Sequence, residues 1–186
     1  MLIEQLFSKG LMTMGPSPHD GTRQVGVFPP DLIKNLTATR ARELEKFRWI
    51  IGDWTYENVV PATRLSPAYV DSGNQSFMIC EMNHWVCAVL PGGRQLQQIT
   101  FDPFSGQWIY ALTRGSYGIL RSAEGWRDNS IVFTGQMTMV GIDCEWRMTW
   151  TKHSDTQFTF VNEEKAEDGE WVYIDEWRFN RRASGS

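Results

Sequence analysis

The stretch Phe47-Arg48-Trp49-Ile50-Ile51-Gly52-Asp53-Trp54-Thr55-Tyr56 divides the chain into two kinds of pattern. Before it, apolar residues fall at Leu44, Phe47 and Ile51, three and four apart, as one face of a helix requires. Gly52 ends that run, as a glycine after a helix commonly does. After Trp54 the period becomes two. Thr55 to Val60 reads as a strand stopped by Pro61, and further short strands follow to Arg181. Their turns are marked by Asp102-Pro103-Phe104-Ser105-Gly106, Gly125 to Asn129, Gly141, His153-Ser154-Asp155 and Asp168-Gly169. Even strands joined by hairpins favour a closed meander over a Greek-key sandwich. The expected fold is all-β: an antiparallel up-and-down β-barrel of about eight to ten strands. The chain divides into a leader arm over 1–30, a helical cap over 31–51, the barrel over 52–182 and a tail over 183–186.

Several motifs in this order resemble the calycin superfamily, the lipocalins and their relatives. They are Gly52-x-Trp54 at the start of the first strand, Phe101-Asp102-Pro103, His153 to Phe158, Asp168-Gly169 and Glu176-Trp177-Arg178. A bacterial lipocalin-like family of unknown function is the nearer likeness, over roughly 52–182. The resemblance implies a barrel with an interior ligand pocket. It also implies structural closure by an arginine of the last strand over Trp54, a place open to Arg178 or Arg181. Calycin haem ligation is not expected, because no histidine lies in the closing strands.

The bulk numbers set limits. The chain has 186 residues, 41% hydrophobic and 22% charged, enough for one domain with a core. The net charge of −4 argues against nucleic acid as a partner, which needs clustered Lys and Arg. No run approaches a membrane-spanning helix and the N-terminus lacks a basic signal region, so a cytoplasmic address without membrane insertion is expected. Cys80, Cys87 and Cys144 are odd in number and lack CxxC spacing, so buried free thiols are expected, with no metal site and no cofactor. Residues 1–30 contain turn chemistry, and their apolar Leu6, Phe7, Met12 and Met14 must pack on the barrel or on a second subunit in a homodimer.

Alternation selects the inward side chains. Trp54, Tyr56, Asn58 and Val60 share one face, and Trp108, Tyr110 and Leu112 another. So do Ile131, Phe133, Met137 and Met139; Cys144, Trp146, Met148 and Trp150; Phe158 and Phe160; and Trp171, Tyr173 and Trp177. Taken as one strand, Gln75–Leu90 turns Met78, Cys80, Met82, His84, Val86 and Ala88 inward. Nine Trp and ten Phe suit the walls of a cavity as well as a solid core. The expected ligand residues are Tyr56, Met82, His84, Trp108, Tyr110, Phe133, Met137, Trp146, Met148, Phe160 and Tyr173, holding a small apolar or aromatic molecule. The alternatives are a cofactor-free cyclase, isomerase or hydratase acting on a polyketide- or terpenoid-like substrate, with His84, Tyr110 or an interior carboxylate moving a proton, and an interaction protein with a filled barrel.

Overall fold

A computed structural model describes residues 1–80, 84–90, 93 and 95–183. Helix α1 (Leu2–Ser8) and the hairpin β1 (Thr13–Pro16) and β2 (Gln24–Val27) form the arm. Helix α2 (Pro30–Leu44) then runs into a 3-10 helix (Glu45–Ile50). The strands are β3 (Gly52–Val60), β4 (Tyr69–Cys80), β5 (Trp85–Val89), β6 (Leu96–Asp102), β7 (Gln107–Thr113) and β8 (Ser116–Ser122). After the short β9 (Trp126–Arg127) come β10 (Ser130–Met139), β11 (Ile142–Lys152), β12 (Gln157–Lys165) and β13 (Trp171–Arg181). Each barrel strand pairs antiparallel with its neighbours, and β13 returns to β3. The result is a closed ten-stranded antiparallel barrel, with β9 as a side strand on β10.

The stretch around Gly52 seals one end. The helix expected through Ile51 tightens to 3-10 geometry after Leu44, which carries Phe47 and Ile50 into the barrel mouth. Both are fully buried. The Phe47 ring lies 4.9 Å from both Trp108 and Trp126. Beneath it Trp54 meets Phe158 edge to face, and Phe158 and Phe179 stack, only 4.3 Å apart and nearly parallel. Trp54 donates its indole N–H to the Ile50 carbonyl at 2.7 Å, which satisfies the polar atom of a buried tryptophan. Arg40 fastens α2 to the barrel by donating from Nε to the Phe101 carbonyl at 3.0 Å.

Arg181, not Arg178, is the closing arginine. Its guanidinium lies 4.3 Å from the Trp54 ring and donates to the carbonyls of Ile51, Trp49 and Asp155. Gly52 adopts φ +126°, and a Cβ there would come within 2.8 Å of the Arg181 Nη1. The glycine is therefore required twice, for its backbone angle and for the guanidinium's approach. Arg178 is exposed and pairs with Glu176 on the outer face at 2.6 Å.

Two expectations change at β4 and β5. Gln75–Leu90 is a hairpin rather than one strand, and Cys80 pairs with Trp85. Positions that face each other across this hairpin sum to an odd number, so the inward set switches parity within it. Gln75 and Phe77 are buried on β4 while Met78 is exposed; Val86 and Ala88 are buried on β5. The same pairing brings Cys80 and Cys87 together as a disulfide, with Cα atoms 6.4 Å apart, within the usual span of roughly 4.4–6.8 Å. The expectation of three free thiols holds only for Cys144. Disulfides persist chiefly in oxidising compartments. Among the described residues no helix is long and apolar enough to cross a membrane.

The third change is on β13. Between Asn162 and Glu163 of β12 the register shifts, and Ile174 is the extra residue. Such a bulge re-aims the side chains beyond it. Trp171 and Tyr173, expected inside, instead lie with the outer-face residues. Trp171 packs under Arg147 and Lys165, and Tyr173 is 42% exposed. Arg147, one of the charged residues expected outside, pairs with Glu163 across the outer face.

Titration of the denatured, unreduced chain should find one thiol rather than three. Reduction, or Cys87→Ser, should lower unfolding stability by about 2 kcal/mol, the loop-closure value for a bridge this short, read from urea denaturation. Arg181→Ala should cost on the order of 2–3 kcal/mol, because charged hydrogen bonds and an aromatic contact are lost together. Arg178→Ala should stay within about 0.5 kcal/mol of the parent in the same assay.

Candidate functional site

The aromatic plug fills only one end of the barrel. Towards the other end the interior opens into a cavity of ≈ 110 Å³. Its buried walls come from alternating positions: Tyr110 and Leu112 of β7, Met137 of β10, Trp146 and Met148 of β11, and Phe160 of β12. Half-buried Leu90, Gln95, Met139 and Trp177 form the part nearer solvent. An apolar cavity of about 150 Å³ is large enough for benzene, so this one is on the scale of a single ring.

One side of the cavity is polar. Asn162 accepts from the Trp146 indole N–H at 3.1 Å and donates through Nδ2 to Asp175 at 2.7 Å. These two bonds fix which end of the Asn162 amide is oxygen. Trp177 and Asn58 also hydrogen-bond the Asp175 carboxylate. A second line runs from Gln75, which donates through Nε2 to Gln97 at 3.2 Å, and on from Gln97 to the Tyr110 phenol. Among the described residues two acceptors are left over: the buried oxygens Asn58 Oδ1 and Gln75 Oε1 have no donor.

Burial governs the titrating groups here. Loss of solvent raises the Asp175 carboxyl above its ordinary value, against the lowering pull of its Asn162, Trp177 and Asn58 hydrogen bonds. Burial pushes the Tyr110 phenol far above its ordinary value, so Tyr110 acts as a neutral hydrogen-bonding group and not as a base. Tyr56 is likewise raised, by burial first and by the charge of Asp71 second.

Of the residues expected to meet a ligand, the cavity brings together Tyr110, Met137, Trp146, Met148 and Phe160. Tyr56, Trp108 and Phe133 point inward but are buried in ring packing: Tyr56 on Trp177 and Phe179, Trp108 on Phe47 and Phe101, Phe133 on Tyr110. Tyr56 fits only because Gly73 faces it, where a Cβ would lie 2.7 Å from its hydroxyl oxygen. His84 is in the turn before β5, not inside a strand, and its carbonyl accepts from Thr100. Tyr173 is outside, as the bulge dictates, and Met82 lies outside the described residues. Reading the sequence for apolar side chains missed Asn162, Asp175 and Gln97. Alternation could have found them, since they share parity with Phe160, Trp177 and Phe101. Among the described residues no group of His, Cys, Asp and Glu is placed to hold a metal ion.

No protein-family model and no curated protein sequence matches the chain. Solved structures with a similar fold include a redesigned β-barrel, at 14% identity over 73% of this chain and 93% of that one, with TM-score 0.36. Rv2717c from Mycobacterium tuberculosis aligns at 8% identity over 76% and 98%, with TM-score 0.49. A protein of unknown function from the DUF3598 family of Nostoc punctiforme aligns at 12% identity over 73% of this chain and 48% of its own length, with TM-score 0.37.

The raised carboxyl has a defined effect on stability. The folded protein keeps the Asp175 proton to higher pH than the unfolded chain does. Its contribution is therefore fully present below the ordinary aspartate value and declines as pH rises through the raised one. Asp175→Asn should remove that decline. The parent's urea midpoint, taken relative to that of Asp175→Asn at each pH, should fall as pH rises above the ordinary aspartate value.

Proposed function

We propose that the barrel binds a small hydrophobic or aromatic molecule at the end the plug leaves open, in the manner of a calycin-type carrier. The observation that supports this is the cavity, whose Trp, Tyr, Phe and Met walls sit opposite a few convergent polar groups. Methionine side chains adapt to the outline of a guest, and aromatic faces pack flat on one. The closure of Trp54 under Arg181 agrees with the calycin likeness drawn from the sequence. The cavity's size restricts the ligand to about one ring unless the half-buried rim at Leu90 and Met139 moves outward.

A cofactor-free cyclase, isomerase or hydratase is the second reading, and Asp175 is its support, since a carboxyl raised by burial suits proton transfer. It is the weaker reading. Polyketide- and terpenoid-like substrates call for pockets of roughly 300 Å³ or more. Tyr110 is held neutral and His84 does not line the cavity, which leaves the carboxyl as the one of the three expected proton carriers that this reading can use.

Native mass spectrometry of the protein isolated from its own host should show a co-purifying small molecule. Met139→Trp places an indole in the cavity from its rim. It should lower retention of that molecule at least tenfold, with the thermal unfolding midpoint little changed. Equal retention by the parent and the Met139→Trp protein would place the molecule elsewhere.

A further inference from the structure

The cavity's polar side is unbalanced in one direction. Asp175 receives hydrogen bonds from neutral donors, and among the described residues it forms no ion pair. The charged side chains nearby in the fold are engaged on the other face of the sheet: Arg147 with Glu163, Lys165 with Glu145 and Arg178 with Glu176. Next to Asp175, the Asn58 amide spends its N–H on the carboxylate and leaves Oδ1 without a donor. Across the interior, Gln97 is on the cavity wall, and Gln75 behind it keeps a donor-less Oε1. The Trp146 indole, the one polar atom of that ring, is already committed to Asn162. On the Asp175 side of the cavity, acceptors therefore outnumber donors: a carboxylate with no ion pair among the described residues, beside an Asn58 oxygen with no donor there. Buried acceptors left unmade are costly, and a guest that brings donors relieves the cost.

From this geometry we infer that the cavity recognises a compact protonated amine on a ring-sized apolar or aromatic body. The inference rests on the barrel being a ligand carrier and adds what its ligand must be. Asp175 takes the ammonium, the charge-assisted bond being the strongest that side of the cavity can make. Trp146, Trp177, Phe160 and Tyr110 supply aromatic walls that cover the apolar body, and an ammonium beside such rings is attracted to their π-systems. Met137, Met148 and Leu112 add apolar wall for the body, while Gln95 and Gln97 are neutral and carry no charge to compete with Asp175. A carboxylate-bearing ligand is disfavoured, because it would set like charge against Asp175 in a site of low polarity.

Benzylamine, benzyl alcohol and benzoate, equal in ring and differing in charge, test this on the full-length protein. Heteronuclear NMR titration at neutral pH should give benzylamine at least tenfold tighter binding than benzyl alcohol, with benzoate unbound. The indole N–H signals of Trp146 and Trp177 should move while that of Trp54, at the plugged end, stays in place. Asp175→Asn should cut benzylamine affinity to that of benzyl alcohol and leave the alcohol's own affinity unaltered. Alcohol bound as tightly as amine, or an amine preference that survives Asp175→Asn, would overturn the amine inference while the cavity remains a ligand site. If none of the three probes shifts Trp146 or Trp177, the ligand-carrier reading itself is overturned. The indole shifts are read on the parent protein, so the test stands even if the variant folds poorly.

Discussion

The contact between Arg181 and Trp54 holds the two ends of the barrel sequence together. A closed sheet must join its first strand to its last, and here β3 and β13 meet side by side. Hydrogen bonds between two strands could slip in register unless something fixes them. Arg181 supplies that fixed point. It sits over the Trp54 ring and donates to carbonyls of three separate segments: the 3-10 helix, the residue before Gly52, and the turn before β12. Those carbonyls would otherwise need other donors at a crowded helix end. One side chain thus sets the register of closure, anchors the helical cap and satisfies the chain where helix becomes strand.

The position of that clamp decides where empty space can exist. Phe47 and Ile50 enter the barrel from the clamped end, and Trp54, Phe77, Trp150, Phe158 and Phe179 fill the volume beneath them. A ten-stranded barrel is wider than the eight-stranded size at which side chains alone just fill the interior. The surplus of tryptophan and phenylalanine consumes most of the extra width at this end. Among the described residues no helix or comparable plug enters at the far end, and there the ≈ 110 Å³ cavity remains. The helical cap is a plug rather than a gate, since Phe47 has no exposed surface at all.

How much of this was legible follows from how strictly each strand alternates. On β7, β10, β11 and β12 the period of two runs without interruption, and Trp108, Tyr110, Phe133, Met137, Trp146, Met148 and Phe160 all point inward as the pattern requires. The β4–β5 hairpin was not legible, because Glu81-Met82-Asn83-His84 contains neither glycine nor proline to mark a turn. Missing that turn misplaced Met78 and Cys80, hid the disulfide and turned His84 into an interior residue. The choice between Arg178 and Arg181 was also beyond the pattern. It depends on the register of β13 against β3, in which Arg181 lies beside Trp54 and Arg178 beside Glu57. The Ile174 bulge leaves no mark in composition, so Tyr173 carried the parity of Trp177 without sharing its face.

That bulge also shapes the chemistry of the cavity. If β13 kept strict alternation, Trp171 and Tyr173 would continue the inward row and crowd the open end with two more large rings. The extra residue sends both outward, where Trp171 is covered by Arg147 and Lys165. The inward row then ends on Asp175, a short side chain carrying charge. The bulge releases volume; Asp175 itself is inward by the parity it shares with Trp177, and the outward turn of the rings beyond it leaves it facing the cavity. The polar atoms that meet Asp175 come from its two flanking strands, Asn162 of β12 and Asn58 of β3. The strands opposite, β7 and β10, contribute Leu112, Met137 and the neutral Tyr110, none of which carries charge. A guest therefore has one orientation in which its polar end meets acceptors and its apolar body meets carbon. Reversing it would leave Asp175 facing hydrocarbon and a donor buried without a partner, and each fault alone costs more than a typical hydrogen bond gains.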